Sequence, residues 1–158
     1  MSPQMTVDPT DRDVAMMRRA LALASEAAGR GDIPVGAVIY KGDEVVGEGA
    51  NRRELDDDPT GHAEIVAMRM AGQRLGTWRL HGCSMAVTLE PCPMCAGAMV
   101  NARLDRVVWG ANDPKAGACT SLYEIHADPR LNHRLEGTGG VLQDECVAIL
   151  RDFFKSRR

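Results

Sequence analysis

MAVTLEPCPMCAGAM, residues 85–99, changes character half-way along. Its first five residues are an apolar, β-prone run with the build of a strand. Pro93 then fits the first turn of a helix, where its missing N–H is no loss, and that helix is expected from Cys92 to about Ala102. Strand character returns at 106–110, Arg-Val-Val-Trp-Gly. A strand that leads into a helix and then into another strand points to the α/β class.

Working outward, Val14, Met17, Leu21, Ala24 and Ala28 recur at three- and four-residue spacing, which predicts an amphipathic helix over 13–28. Thr10 and Asp13 offer a capping box and Gly29 a stop. Two short β-rich runs, 35–40 and 44–49, flank Lys41-Gly42-Asp43 in the pattern of a hairpin. A loop over 51–59 leads to a helix starting near Gly61, with Thr60 as its cap and Ile65, Met68, Gly72 and Leu75 on one face. Beyond Gly110 the expected elements are a polar loop, a short helix over 121–126, a short strand over 140–142, and a final helix from about Asp144. The order α-β-β-α-β-α-β-(α)-β-α implies helices on both faces of a mixed five-stranded sheet. With 158 residues, 44% of them hydrophobic, one domain over 11–158 is expected, after a loose polar leader at 1–10.

A net charge of -3 carries no global sign of nucleic-acid binding. The distribution is uneven: 151–158 holds four positive side chains against Asp152, while 52–58 is acidic. There is no apolar stretch long enough to span a membrane and no secretory signal, so a soluble, cytoplasmic protein is expected. Five cysteines, an odd number, argue against a disulfide framework and for metal binding or catalysis. Cys83, Cys119 and Cys146 are expected as buried small hydrophobes.

Two motifs carry the chemistry: His62-Ala63-Glu64, and Pro91-Cys92-Pro93-Met94-Cys95 thirty positions later, each at a helix start. A CxxC at a helix start puts both sulfurs on one side of the first turn, and a histidine from a second helix can complete a tetrahedral zinc shell with three protein ligands. Catalytic zinc sites keep the fourth position for water, whose pKa the metal lowers to roughly 7. Glu64 is then the expected general acid and base, close to that water but not a ligand. Two alternatives stand beside this. The CxxC could be a redox pair, or Cys83, Cys119 or His81 could close a structural zinc site.

HxE combined with PCxxC is the signature of zinc-dependent nucleobase deaminases. IPVGAV (33–38), GEGANR (47–52), DPTGHAEIVAMR (58–69), TLEPCPMCAGAM (88–99), RVVWGANDPKAGA (106–118), LNHRLE (131–136) and DECVAILRDFFKSRR (144–158) together resemble the bacterial tRNA adenosine deaminases. The resemblance implies a three-layer α/β/α, cytidine-deaminase-like fold, a homodimer with one zinc ion per subunit, and conversion of adenosine to inosine at wobble position 34 of the arginine tRNA with an ACG anticodon. It also implies residue roles. Asn51 and the Ala63 backbone would seat the base, Asp113 would accept a hydrogen bond from the ribose 2′-OH, and Asn132, His133, Phe154 and Arg157 would touch the anticodon stem-loop. Simpler roles stay open: Asn51 could shape a turn, Asp113 could form an Asx-turn before Pro114, and Phe153 or Phe154 could be core. The rivals are a guanine or cytosine deaminase, and a silent RNA-binding zinc module, which would usually lack Glu64.

Overall fold

The computed structural model describes residues 8–157, so residues 1–7 of the expected leader and Arg158 of the tail lie outside the described residues. The chain runs α1 (Asp11–Gly29), β1 (Gly36–Lys41), β2 (Glu44–Ala50), α2 (Ala63–Leu75), β3 (Ser84–Leu89), α3 (Pro93–Asn101), β4 (Arg106–Ala111), a 3-10 turn (Ile125–Ala127), β5 (Glu136–Thr138) and α4 (Gln143–Lys155). The strands form one sheet in the order β2-β1-β3-β4-β5. β1 is antiparallel to both β2 and β3, whereas β3, β4 and β5 are parallel. The mixed five-stranded sheet expected from the element order is therefore present.

Side chains of a strand alternate between faces, and here both faces are covered. Ala37, Ile39, Met85, Val87, Val107 and Trp109 join a core with residues of α2 and α3, while Val38, Tyr40, Ala86 and Val108 join a second core with residues of α1 and α4. Period-2 alternation thus sorts the sheet into two apolar layers and makes the molecule α/β/α. The capping box at the start of α1 forms as expected. Its second member, Asp13, is buried and also accepts hydrogen bonds from Tyr40 Oη at 2.5 Å and Arg106 Nη1 at 2.6 Å, which ties α1 to β1 and β4.

Three local expectations change. The last strand lies at Glu136–Thr138, not at 140–142; the later segment turns into α4 through Leu142 at φ 51°. Its sequence, Glu-Gly-Thr, has little strand character, and pairing of Val107 with Gly137 along β4 selects it. The helix expected over 121–126 is only the 3-10 turn at Ile125–Ala127. Thr60 does not cap α2: its N–H and hydroxyl bind Asp58, and His62 occupies the cap position. No described helix is long and apolar enough to cross a membrane.

Candidate active site and metal centre

Helices α2 and α3 begin side by side. His62 is the N-cap of α2 and Cys92 the N-cap of α3; both have extended backbone, and neither spends its side chain on the helix. Those side chains meet each other instead. His62 Nδ1 lies 3.6 Å from Cys92 Sγ and 3.5 Å from Cys95 Sγ, and the three ligand atoms all fall within 4.8 Å of one another. With bonds of about 2.3 Å to sulfur and 2.05 Å to nitrogen, the N···S edge of a zinc tetrahedron is about 3.6 Å. Both N···S distances therefore match the edges of a tetrahedral zinc site. Among the described residues no fourth His, Cys, Asp or Glu joins it; Cys83 and Cys119 are buried in the apolar core, as expected of small hydrophobes.

Charge is arranged to match. The hydrogen bond with Cys95 lowers the Cys92 thiol to about 4 against the opposing effect of burial, with His62 adding to the shift, while the bond to Cys92 and burial raise Cys95. His62 is raised by its bond to Cys92. Glu64, on the first turn of α2, is buried; desolvation pushes its carboxyl up to about 7, and the charge on Cys92 contributes. The N-terminal ends of both helices favour anionic sulfur at this spot.

The group forms one side of a cavity of about 210 Å³ whose walls include Ile33, Val35, Leu89 and Ala116. Asn51, His62, Ala63, Glu64, Cys92 and Asp113 line the same cavity, and Cys95 lies behind it in the ligand cluster. Asn51 also shapes the turn after β2: its Nδ2 donates to Ile33 O and its Oδ1 accepts from Arg53 N. Asp113 makes the Asx-turn, with Oδ1 accepting from the N–H groups of Lys115 and Ala116. In both cases the simpler role and the place in the cavity coexist.

The four remaining positions are not among the cavity's lining residues. Asn132 is exposed, and the ring of His133 pairs through Nε2 with Leu104 O at 2.6 Å. Phe153 is buried and Phe154 is 51% exposed, which divides the two rings between core and surface. Arg157 stacks its guanidinium 4.3 Å over the Phe153 ring, and a Cβ added at Gly31, two residues before the cavity-lining Ile33, would lie 3.4 Å from its Nη2. The acidic stretch 52–58 is partly consumed locally, Asp56 by Arg52 and Asp58 by Thr60.

Two charged cavity residues, Arg53 and Glu90, were not among the site residues expected from the sequence. Arg53 follows Asn51 closely, and Glu90 directly precedes Pro91 and Cys92. The only available signal for Glu90 was an acidic residue at the end of an apolar strand. Its partners are backbone groups far along the chain.

The model for MafB19-like deaminases matches residues 11–158. A tRNA-specific adenosine deaminase of Haemophilus influenzae is 46% identical over 147 residues, spanning 92% of this chain and 85% of the relative. The chain belongs to the tRNA-specific adenosine deaminase family. A solved tRNA:A34 deaminase, studied for A-to-I editing at the wobble position of transfer RNA, superposes with a TM-score of 0.83 at 40% identity, covering 86% of this chain and 99% of that one. The guanine deaminase of Bacillus subtilis is similar over less of the molecule, with a TM-score of 0.59, 41% identity and coverage of 62% and 63%. The cytidine-deaminase-like α/β/α fold is the one this chain shares with the tRNA:A34 deaminase structure.

Proposed function

We propose that this chain, with one zinc ion held by His62, Cys92 and Cys95, hydrolyses adenosine to inosine at wobble position 34 of a tRNA, specifically the arginine tRNA with an ACG anticodon. The observation that carries the proposal is Glu64, buried and uncharged-tending, beside a three-ligand group in a cavity that opens to solvent. A zinc ion bound there supplies a Lewis-acidic position that brings a water molecule's pKa to roughly 7. Everything else is done by the chain. Glu64, buried beside the ligand group, takes one proton from the attacking water and passes it to N1 of the adenine, then takes the remaining hydroxyl proton of the C6 adduct and passes it to the departing amine, which leaves as ammonia. Adenosine and water leave as inosine and ammonia.

The base enters between the apolar walls of Ile33, Val35 and Leu89, which exclude bulk water. Asn51 uses one amide N–H and one lone pair on the turn, leaving one of each for a purine edge. The Ala63 N–H, in the first turn of α2, belongs to the donors that a helix start leaves unpaired. Asp113 Oδ2, which has no protein partner among the described residues, accepts from the ribose 2′-OH. Phe154 and Arg157 on the exposed tail, with Asn132 and His133, meet the anticodon stem-loop. Residues 11–158 act as one catalytic domain.

A second copy completes the protein as a homodimer. Supporting this, an apolar groove of about 630 Å³ runs between α2 and α3, lined by Met68, Trp78, Leu80, Ala98 and Ala102, and Trp78 is 59% exposed. None of the five cysteines is in a disulfide, which suits the cytoplasm. The test is direct: zinc-loaded protein is offered the anticodon stem-loop, guanine, cytosine and free adenosine. Inosine at position 34, with the small molecules unchanged, is expected. Turnover of guanine with an untouched tRNA overturns the assignment, and a monomer by sedimentation overturns the dimer.

A further inference from the structure

Glu90 stands at the end of β3, immediately before Pro91 and Cys92, and its side chain is buried. Oε1 accepts from Asp113 N at 3.0 Å and Ser121 Oγ at 2.5 Å. Oε2 accepts from the N–H groups of Cys119, Thr120 and Ser121 at 3.1, 2.8 and 2.9 Å. Both ends of the loop 113–121 thus converge on one carboxylate. The same loop carries Asp113 and Ala116, which line the cavity together with Glu90 itself. The fit is tight: a Cβ on Gly117 would meet the Glu90 carboxylate at 2.3–2.4 Å. A buried carboxylate is costly unless fully hydrogen-bonded, and an apolar side chain would serve packing alone.

We propose that Glu90 is a positioning residue that holds the 113–121 loop so that Asp113 is presented to the ribose of the target nucleotide. The inference rests on the deaminase reading given above. Replacing the carboxylate by an amide separates this role from packing. In Glu90→Gln the amide oxygen serves best opposite the three N–H groups of 119–121, which leaves its NH2 facing Asp113 N and Ser121 Oγ. The serine hydroxyl can turn and accept. The Asp113 N–H cannot, so the loss falls on Asp113.

The experiment compares wild type, Glu90→Gln, Asp113→Ala and the double variant, all zinc-loaded, on an anticodon stem-loop, with amide hydrogen exchange measured on each. Loss of a charged hydrogen bond is expected to raise KM roughly ten- to hundred-fold and to speed exchange at the Asp113 amide by a similar factor. kcat stays within about threefold, and the two substitutions are non-additive because they act on one contact. Val108→Ala, a core change on the opposite face of the sheet, lowers thermal stability without moving KM. Gly117→Ala displaces the same carboxylate and gives the same KM rise if Glu90→Gln is insoluble. Wild-type KM and wild-type Asp113 exchange in both variants overturn the proposal, as does a full additional factor on top of Asp113→Ala. If the wild type itself leaves the stem-loop untouched, the functional reading fails, while unchanged Asp113 exchange in Glu90→Gln still refutes the positioning role on its own.

Discussion

A single methyl group on Gly49 should disable the metal centre without touching a ligand. β2 lies against α2 through Gly47 and Gly49, whose missing side chains let the helix backbone sit directly on the sheet. A Cβ at Gly49 would lie 2.6 Å from Ala63 O and 2.8 Å from Val66 Cβ. Restoring ordinary contact at 3.4 Å requires the first turn of α2 to move by about 0.8 Å. That turn carries Glu64 and follows His62, and metal sites tolerate ligand displacements of only about 0.2 Å. Gly49→Ala is therefore expected to weaken zinc binding by about 10- to 100-fold. In zinc-saturated protein it should also lower kcat/KM by about 100-fold, or about 2.7 kcal/mol of transition-state stabilisation. The overpacking itself costs about 1–3 kcal/mol of stability. Zinc competition against a chromophoric chelator, inosine formation and thermal melting measure the three quantities. The control is Gly29→Ala at the end of α1, where a Cβ meets nothing within 4 Å; zinc affinity should not change. Wild-type zinc affinity and turnover in Gly49→Ala would refute the reasoning, since the strain would then have been absorbed by the edge strand β2.

Glu64→Ala should retain full zinc content yet lose at least about 100- to 10,000-fold in turnover, because proton transfer is removed from an intact ligand set; comparable activity would take Glu64 out of the mechanism. Asp13→Ala leaves Arg106 without its buried partner and should cost about 3 kcal/mol by chemical denaturation. Burial alone would raise the Asp13 carboxyl, but hydrogen bonds from Arg106, Thr10 and Tyr40 hold it below its ordinary 3.8. Its stabilisation is therefore complete above that value and disappears as pH falls through the lower folded one, so the difference between wild type and Asp13→Ala should shrink in acid; a difference constant down to pH about 2 would contradict this. Phe154→Ala removes an exposed ring and should shift stability by no more than about 0.5 kcal/mol while raising KM for the stem-loop. An unchanged KM would exclude Phe154 from the RNA surface.

What could be read from the sequence was what depends on near neighbours along the chain. Helical periodicity, the Thr10–Asp13 cap, Pro93 in a first turn and the alternating strands gave the element order, and the order gave the layers. The two sulfurs of CxxC share a turn by helix geometry, and a histidine at a second helix start can join them, so the grouping of His62, Cys92 and Cys95 that could hold a metal was expected from local pattern alone. Tertiary structure decided what depends on groups without a side-chain signature. β5 exists because backbone pairing along β4 selects three unremarkable residues. His133 is held by a backbone carbonyl 29 positions away, and Glu90 by backbone N–H groups 23 to 31 positions away. Every residue except proline carries the same N–H, so no pattern of residue types can announce which amides will converge on one buried carboxylate; only the folded path of the chain brings them there.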